Sequence, residues 1–126
     1  MMLIPNHQST LKLTHYGRRS AAVYHVTIWF TEIDGELWTG SLDMDRNWVR
    51  NLRAAGRGHV DFGDGPTTVN AEFLDSESDK GRYRAAVAAK YPVLSRLVGL
   101  FARGKTRAVF RLRVAPDEVG HVGTTK

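Results

Sequence analysis

Cysteine is absent from the 126 residues. Disulfides, thiol nucleophiles and thiolate metal sites are thereby excluded, and the redox compartment stays open. Long apolar runs are also missing: none approaches the ~20 residues that a membrane-spanning helix needs. The opening stretch MMLIPNHQST has neither the charged leader nor the extended apolar core of a signal peptide, so a cytoplasmic location is the expectation. Catalytic signatures are sparse. There is no GxSxG elbow, no GxGxxG turn and no evident triad. His7, His15, His25, His59 and His121 show no HExxH or other close ligand spacing, so no metal site is expected.

Acidic residues are scarce in particular places. No Asp or Glu precedes Glu32, and none occurs from Lys80 to Pro116, a span with ten Lys or Arg. The formal charge of +5 is thus split into two basic regions around an acidic middle, Glu32 to Asp79. If both basic regions converge on one surface, the partner is a polyanion: a nucleic acid or an anionic cofactor. Hydrophobic content of 42% and charged content of 25% are those of an ordinary globular protein. The length suits a single domain, residues 1–126, with a core of its own.

Along the chain, residues 1–10 read as an arm, and Leu11–His15 as a short alternating strand. Val23–Thr31 is a β-branched and aromatic strand, Asp34-Gly35 a hairpin turn and Glu36–Ser41 the returning strand. Asp43 or Asp45 is placed to cap a helix through Ala55, which Gly56 stops. His59–Phe62 and Thr67–Leu74 form a second hairpin about Gly63–Pro66. Ser76 with Asp79 caps a helix from about Glu77 to Lys90. Pro92 begins a second helical stretch that Gly104 closes, Thr106–Val114 is the last strand, and the tail, residues 115–126, is loose. Antiparallel hairpins dominate. The fold class is mainly β with peripheral helices (α+β), a small β-barrel.

Two features carry chemistry. The turn Gly17-Arg18-Arg19-Ser20 joins a flexible glycine, two guanidiniums and a hydroxyl ahead of a strand, which suits a phosphate, although the same residues also make a solvated hairpin corner. Trp29, Trp38 and Trp48 fall on three successive elements. Trp38 reads as core, whereas Trp48, on an arginine-rich helix, reads as core or as the border of a flat aromatic ligand. Ring, phosphate and cationic surroundings together describe a nucleotide-like cofactor.

The order of these motifs resembles the deazaflavin (F420)- and flavin-dependent oxidoreductases of the split β-barrel class, the nitroreductase group related to pyridoxamine-phosphate oxidases. The likeness rests on Gly17-Arg18-Arg19-Ser20, Trp29-Phe30, Asp34-Gly35, Gly40-Ser41, Trp48-Val49-Arg50-Asn51-Leu52 and Ala89-Lys90-Tyr91-Pro92, and spans about residues 10–114. It implies a split β-barrel of the FMN-binding, pyridoxamine-phosphate-oxidase-like type. It also implies a homodimer, and coenzyme F420 or alternatively FMN as cofactor, with hydride passing between deazaflavin and a small hydrophobic quinone, nitro compound or enone. On this resemblance Arg18, Arg19 and Ser20 hold the phosphate. The backbone of Thr27, Ile28 and Trp29 faces the ring, and Ser41, Trp48 and Asn51 complete the site. Tyr24 and His25 are candidates to donate a proton. Many relatives carry Gly, Arg and Pro-Leu where this chain has Ala21, Tyr24 and Thr27-Ile28, which removes one anion contact. Asp43 and Asp45 add repulsion. Arg46, Arg50 and the span 80–113 are placed to offset this, meeting a polyglutamate tail. Two other readings follow from the same features: a cofactor-binding module without turnover, and, less favoured, a single-strand nucleic-acid binder.

Overall fold

The structure is a computed structural model that describes residues 2–92 and 107–116. Seven strands and two helices occur in these residues: β1 Thr10–Tyr16, β2 Val23–Trp29, β3 Thr31–Ile33, β4 Glu36–Ser41, α1 Asn47–Ala55, β5 Arg57–Asp61, β6 Pro66–Phe73, α2 Glu77–Lys90 and β7 Ala108–Val114. All strand pairs are antiparallel, in the order β2-β1-β5-β6-β7-β4-β3. The second helical stretch expected from Pro92 to Gly104 lies outside the described residues.

The single strand expected over Val23–Thr31 is two strands. β2 pairs with β1 and β3 with β4, at opposite ends of the sheet order, and only Phe30 lies between them. One residue can join the two ends only if the sheet curls until its edges meet, which makes it a half-barrel. Phe30 is fully buried at this corner, and the C-terminal end of α2 pins it. Lys90 Nζ donates to the Phe30 carbonyl at 2.8 Å and lies 3.5 Å from the Phe30 ring centroid. The Tyr91 hydroxyl is 2.8 Å from that carbonyl oxygen and 2.5 Å from the Ser9 carbonyl oxygen, and its ring stacks on Trp29 at 4.6 Å.

The core follows from strand parity. Leu11 and Leu13 of β1, Val60, Val69, Phe110 and Leu112 face the barrel interior, where Val49 and Leu52 of α1 close it. Trp38, Val109 and Leu74 face the other side and are covered by Tyr83 of α2. Val109, which sequence parity puts on an outer face with Arg107 and Arg111, is therefore also buried. Tyr83 comes close because residue 40 is glycine. A Cβ there would stand 2.6 Å from the Ala108 carbonyl oxygen and 2.8 Å from the Tyr83 ring.

Local signals place most element ends. Gly56 stops α1 with φ of 69° and its N–H on the Leu52 carbonyl at 2.8 Å, and the Ser76 hydroxyl accepts the Asp79 N–H at 3.1 Å. The cap of α1 differs from expectation. Neither Asp43 nor Asp45 caps it; the Asp43 carboxylate turns back to accept the Asp45 N–H at 2.8 Å, and helix entry falls to Arg46 without a side-chain cap. Two ends are tighter than expected. In the arm, Asn6 Oδ1 accepts the Glu32 N–H at 3.1 Å and Gln8 donates to the Phe62 carbonyl at 3.0 Å. Ala115, expected in the loose tail, is buried with its N–H on the Thr68 carbonyl at 3.1 Å.

The charge blocks also rearrange on folding. Cross-strand register sets Arg111 beside Glu72 at 2.5 Å and Arg113 beside Glu36 at 2.5 Å. Arg82 reaches Asp34 at 2.5 Å, and Lys80 reaches Asp75 at 3.3 Å. Four cations of the basic span are thus spent on the acidic middle. Such exposed pairs are worth little in stability, ~0–1 kcal/mol each, but they remove most of the expected polyanion surface on β7 and α2.

Candidate functional site

β1 and β2 form a hairpin whose last pair is Tyr16 opposite Val23, and residues 17–22 make its loop. The Gly17 N–H donates to the Ala22 carbonyl at 2.8 Å, the Ala21 N–H to the Gly17 carbonyl at 3.1 Å, and the Ala22 N–H to the Ser20 hydroxyl oxygen at 3.2 Å. Ala21 holds φ of 56°, the left-handed region that glycine enters without cost and an alanine does not. The position where this chain departs from the glycine of the family pattern is thus the one whose backbone favours glycine. The turn keeps its shape with a strained residue.

Arg18 leaves this turn toward α1, and its Nη1 donates to Asn51 Oδ1 at 2.6 Å. Asn51 is buried on the inner face of α1, and its amide nitrogen meets His15 Nδ1 at 2.9 Å. His15 is buried because it shares strand parity with Leu11 and Leu13. Its imidazole stacks on Tyr24 at 5.6 Å, and its pKa is lowered, chiefly by burial and further by the nearby His25. A guanidinium has five N–H donors, so Arg18 keeps others for an anion after serving Asn51. The Ser20 hydroxyl accepts from the backbone and still has its proton to donate. Arg19 is exposed beside them.

The turn therefore holds Arg18, Arg19 and Ser20 together, and α1 brings Asn51 to Arg18. The remaining expected site residues stand differently. Thr27 is exposed on the edge strand β2, while Ile28 points into the core. Trp29 is half-buried against Tyr91, and its carbonyl accepts from the Thr39 hydroxyl at 2.6 Å. The Ser41 hydroxyl is tied into its own turn with Asp43 at 3.1 Å. Trp48 is buried in the core beside Phe110, ring centroids 5.9 Å apart, so its indole is packing and offers no open face within this chain. Of the proton-donor candidates, Tyr24 is 47% exposed, and His25 Nδ1 lies 3.0 Å from the Thr14 hydroxyl.

Sequence reasoning assigned no role to two groups. His15 was legible in retrospect from its parity with two leucines. Lys90 was not. Burial lowers its pKa to about 8, and it borders an open cleft of about 500 Å³ with Asn6, His7, Glu32 and Tyr91. Its amine is already engaged by Phe30, so the cleft belongs to the architecture of the corner.

No family model matches this sequence, and no curated protein matches it. Solved structures do share the fold. An F420-H2 dependent reductase superposes with a TM-score of 0.65 at 19% identity, over 84% of this chain and 95% of that one. A FAD-binding protein from Mesorhizobium loti gives 0.59 at 20% identity, over 87% and 83%. HutZ, the heme storage protein of Vibrio cholerae, gives 0.67 at 12% identity, over 85% and 82%. Identities this low establish the split-barrel fold and nothing finer, and proteins of the fold hold ligands as different as a flavin and a heme.

Proposed function

We propose that this chain is an F420-dependent oxidoreductase that passes hydride between the deazaflavin and a small hydrophobic acceptor such as a quinone, nitro compound or enone. One observation carries the reading. Arg18 is held by a buried asparagine with donors to spare, in a turn that also presents Arg19 and the Ser20 hydroxyl. That arrangement fits the phosphate end of such a cofactor. The shared fold with an F420-H2 dependent reductase adds support.

In this reading Arg18, Arg19 and Ser20 hold the phosphate, and backbone groups of the edge strand β2 from Thr27 to Trp29 face the ring. When bound, the deazaflavin supplies the hydride. The protein contributes position and charge complementarity. Asn51 acts through Arg18. Ser41 closes the turn that leads toward α1, and Trp48 packs that helix on the core, rather than touching the ring. Tyr24 and His25, both exposed on β2, are the candidates to supply a proton to the product. Among the described residues β2 pairs on one side only and exposes Val23 and Tyr24, an edge that a second copy of the chain would cover. A homodimer completes the site in this proposal.

The experiment is a fluorescence titration of the purified protein with oxidised F420, with FMN in parallel. Saturable quenching by F420, lost in the Arg19→Ala, Ser20→Ala double variant, supports the proposal. Selective FMN binding moves it to the flavin branch, toward which the FAD-binding neighbour leans. Binding of neither leaves a non-catalytic role for the barrel. A nucleic-acid role is disfavoured, because the β7 arginines are paired with glutamates on both flanking strands.

A further inference from the structure

The hydrogen-bond direction along His15, Asn51 and Arg18 is determined by chemistry. A guanidinium can only donate, so the Asn51 atom facing Arg18 is its carbonyl oxygen. The other end of the amide, the NH2 group, then faces His15 Nδ1 at 2.9 Å. That nitrogen must accept, so His15 is neutral with its proton on Nε2. Protonation at Nδ1 would set donor against donor. Turning the amide over would repair the contact with His15 and set donor against donor at Arg18. The chain of three cannot be satisfied with His15 charged.

We propose that His15 is a positioning residue: in its neutral form it fixes Asn51, Asn51 fixes the Arg18 guanidinium, and the affinity of the Gly17–Ala22 turn for an anion falls when His15 is protonated. The inference rests on the reading of this turn as the anion end of the site. It adds a regulatory property, a grip that weakens in acid.

The surroundings of His15 agree with this. From β2, Tyr24 stacks on the ring and His25 acts on it as a like charge when protonated. From β5 comes His59, opposite Thr14 and engaged by Tyr16 and Thr68. From the turn comes Arg18, and from α1 Asn51, while Arg46, Arg50 and Arg53 of that region are exposed. The partners are neutral or cationic, and burial with His25 depresses the pKa of His15. The neutral imidazole is thus the resting state near neutrality.

The sign of the effect separates this from ordinary electrostatics. A new positive charge beside an anion site should tighten anion binding as pH falls. The relay demands the opposite. The probe is inorganic sulfate, whose charge is constant from about pH 5 to about pH 8, the range over which histidines titrate. Binding is read from amide shifts of residues 17–22 in nitrogen-15 spectra, for wild type and His15→Gln. A glutamine oxygen can accept from Asn51 and does not titrate. Sulfate affinity of the wild type should fall about three- to tenfold relative to His15→Gln on going to the acid end, as expected for loss of the net contribution of one ordinary hydrogen bond. Equal pH profiles for the two proteins, tighter wild-type binding in acid, or no sulfate-dependent shift at 17–22 would each overturn the proposal. Imidazole nitrogen-15 shifts of the wild type give a test that needs no variant: Nδ1 of His15 should be the unprotonated nitrogen at about pH 7.5, and a protonated Nδ1 there also overturns it. F420 titrations keep the two readings apart. If sulfate follows the relay and F420 does not bind, the cofactor assignment fails alone. If F420 binds and sulfate ignores His15, the relay fails alone.

Discussion

Two polar corners of this barrel use the same kinds of group to opposite ends. At the Phe30 corner, an ammonium and a phenol point inward onto backbone carbonyls and hold the place where the chain crosses from one sheet edge to the other. At the Gly17–Ala22 corner, a guanidinium is gripped from behind by Asn51 and His15 and keeps donors facing out. The first corner spends its hydrogen bonds on architecture, and the second keeps some in reserve for a ligand. Substitutions at the first should therefore cost stability and leave anion binding alone, whereas loss of the Arg18 guanidinium at the second should chiefly weaken anion binding.

The largest effect is expected at Tyr91. Its ring stacks on Trp29, and its hydroxyl joins the arm at Ser9 to the corner at Phe30. Truncation to alanine leaves a cavity and takes the hydroxyl away from the Ser9 and Phe30 carbonyls, costing about 3–5 kcal/mol, most of it from the cavity. Urea unfolding of Tyr91→Ala measures it; a loss under about 1 kcal/mol would mean that the corner is not a keystone of the barrel. Next in size is Arg18→Ala. Anion or cofactor affinity should drop about tenfold, while stability falls by about 1 kcal/mol for the buried Asn51 oxygen left without its donor, well short of the loss at Tyr91. A matching loss of stability would place Arg18 with the architectural corner and erase the contrast.

A smaller effect tests the strain at the second corner. Ala21 sits at φ of 56°. Ala21→Gly should relieve the left-handed strain and stabilise by about 0.5–1 kcal/mol, after the extra chain entropy of glycine is counted. Thermal unfolding reads this directly. If the variant is destabilised, the loop does not hold the strained conformation in solution.

What could be read in advance divides along the same line. Turns and caps are local, so Asp34-Gly35, Gly56 and Ser76 were legible from neighbouring residues alone, and Asp34 and Gly35 do take positive φ, 53° and 78°. The break at Phe30 was not legible. Val23–Thr31 is one continuous β-prone run, and what divides it is Lys90 and Tyr91, some 60 residues away. The anion turn was legible as a motif, but its anchor was not, because Arg18 and Asn51 are 33 residues apart and meet only through the packing of α1. The basic span misled for a related reason. Charge along a chain does not show which strands will be neighbours, and register places Glu36 and Glu72 on either side of the β7 arginines. Trp48 was ambiguous because a buried tryptophan and a ligand-stacking one have the same signature until the opposing face, here Phe110, is known.

The subtlest test returns to Lys90. Its pKa is lowered to about 8 from 10.5 by burial. Between those values the unfolded chain holds a proton that the folded chain has released, so the unfolded state binds more protons and stability rises with pH. Below about pH 8 both states are protonated and the burial penalty on the ammonium is present in full. Tyr83 and Tyr91 act in the other direction. Burial raises both phenols, so above about pH 10 the folded state holds protons that the unfolded state has lost, and stability falls. The Lys90 contribution is therefore isolated as a rise between about pH 8 and 10, measured by urea unfolding across that window. Lys90→Met keeps the packing over Phe30, removes the titration and should flatten the rise. An unchanged slope in Lys90→Met would mean that the ammonium is as well solvated in the folded chain as in the unfolded one. The inward-facing corner would then be as open to water as the anion turn, and the contrast between them would rest on hydrogen bonding alone.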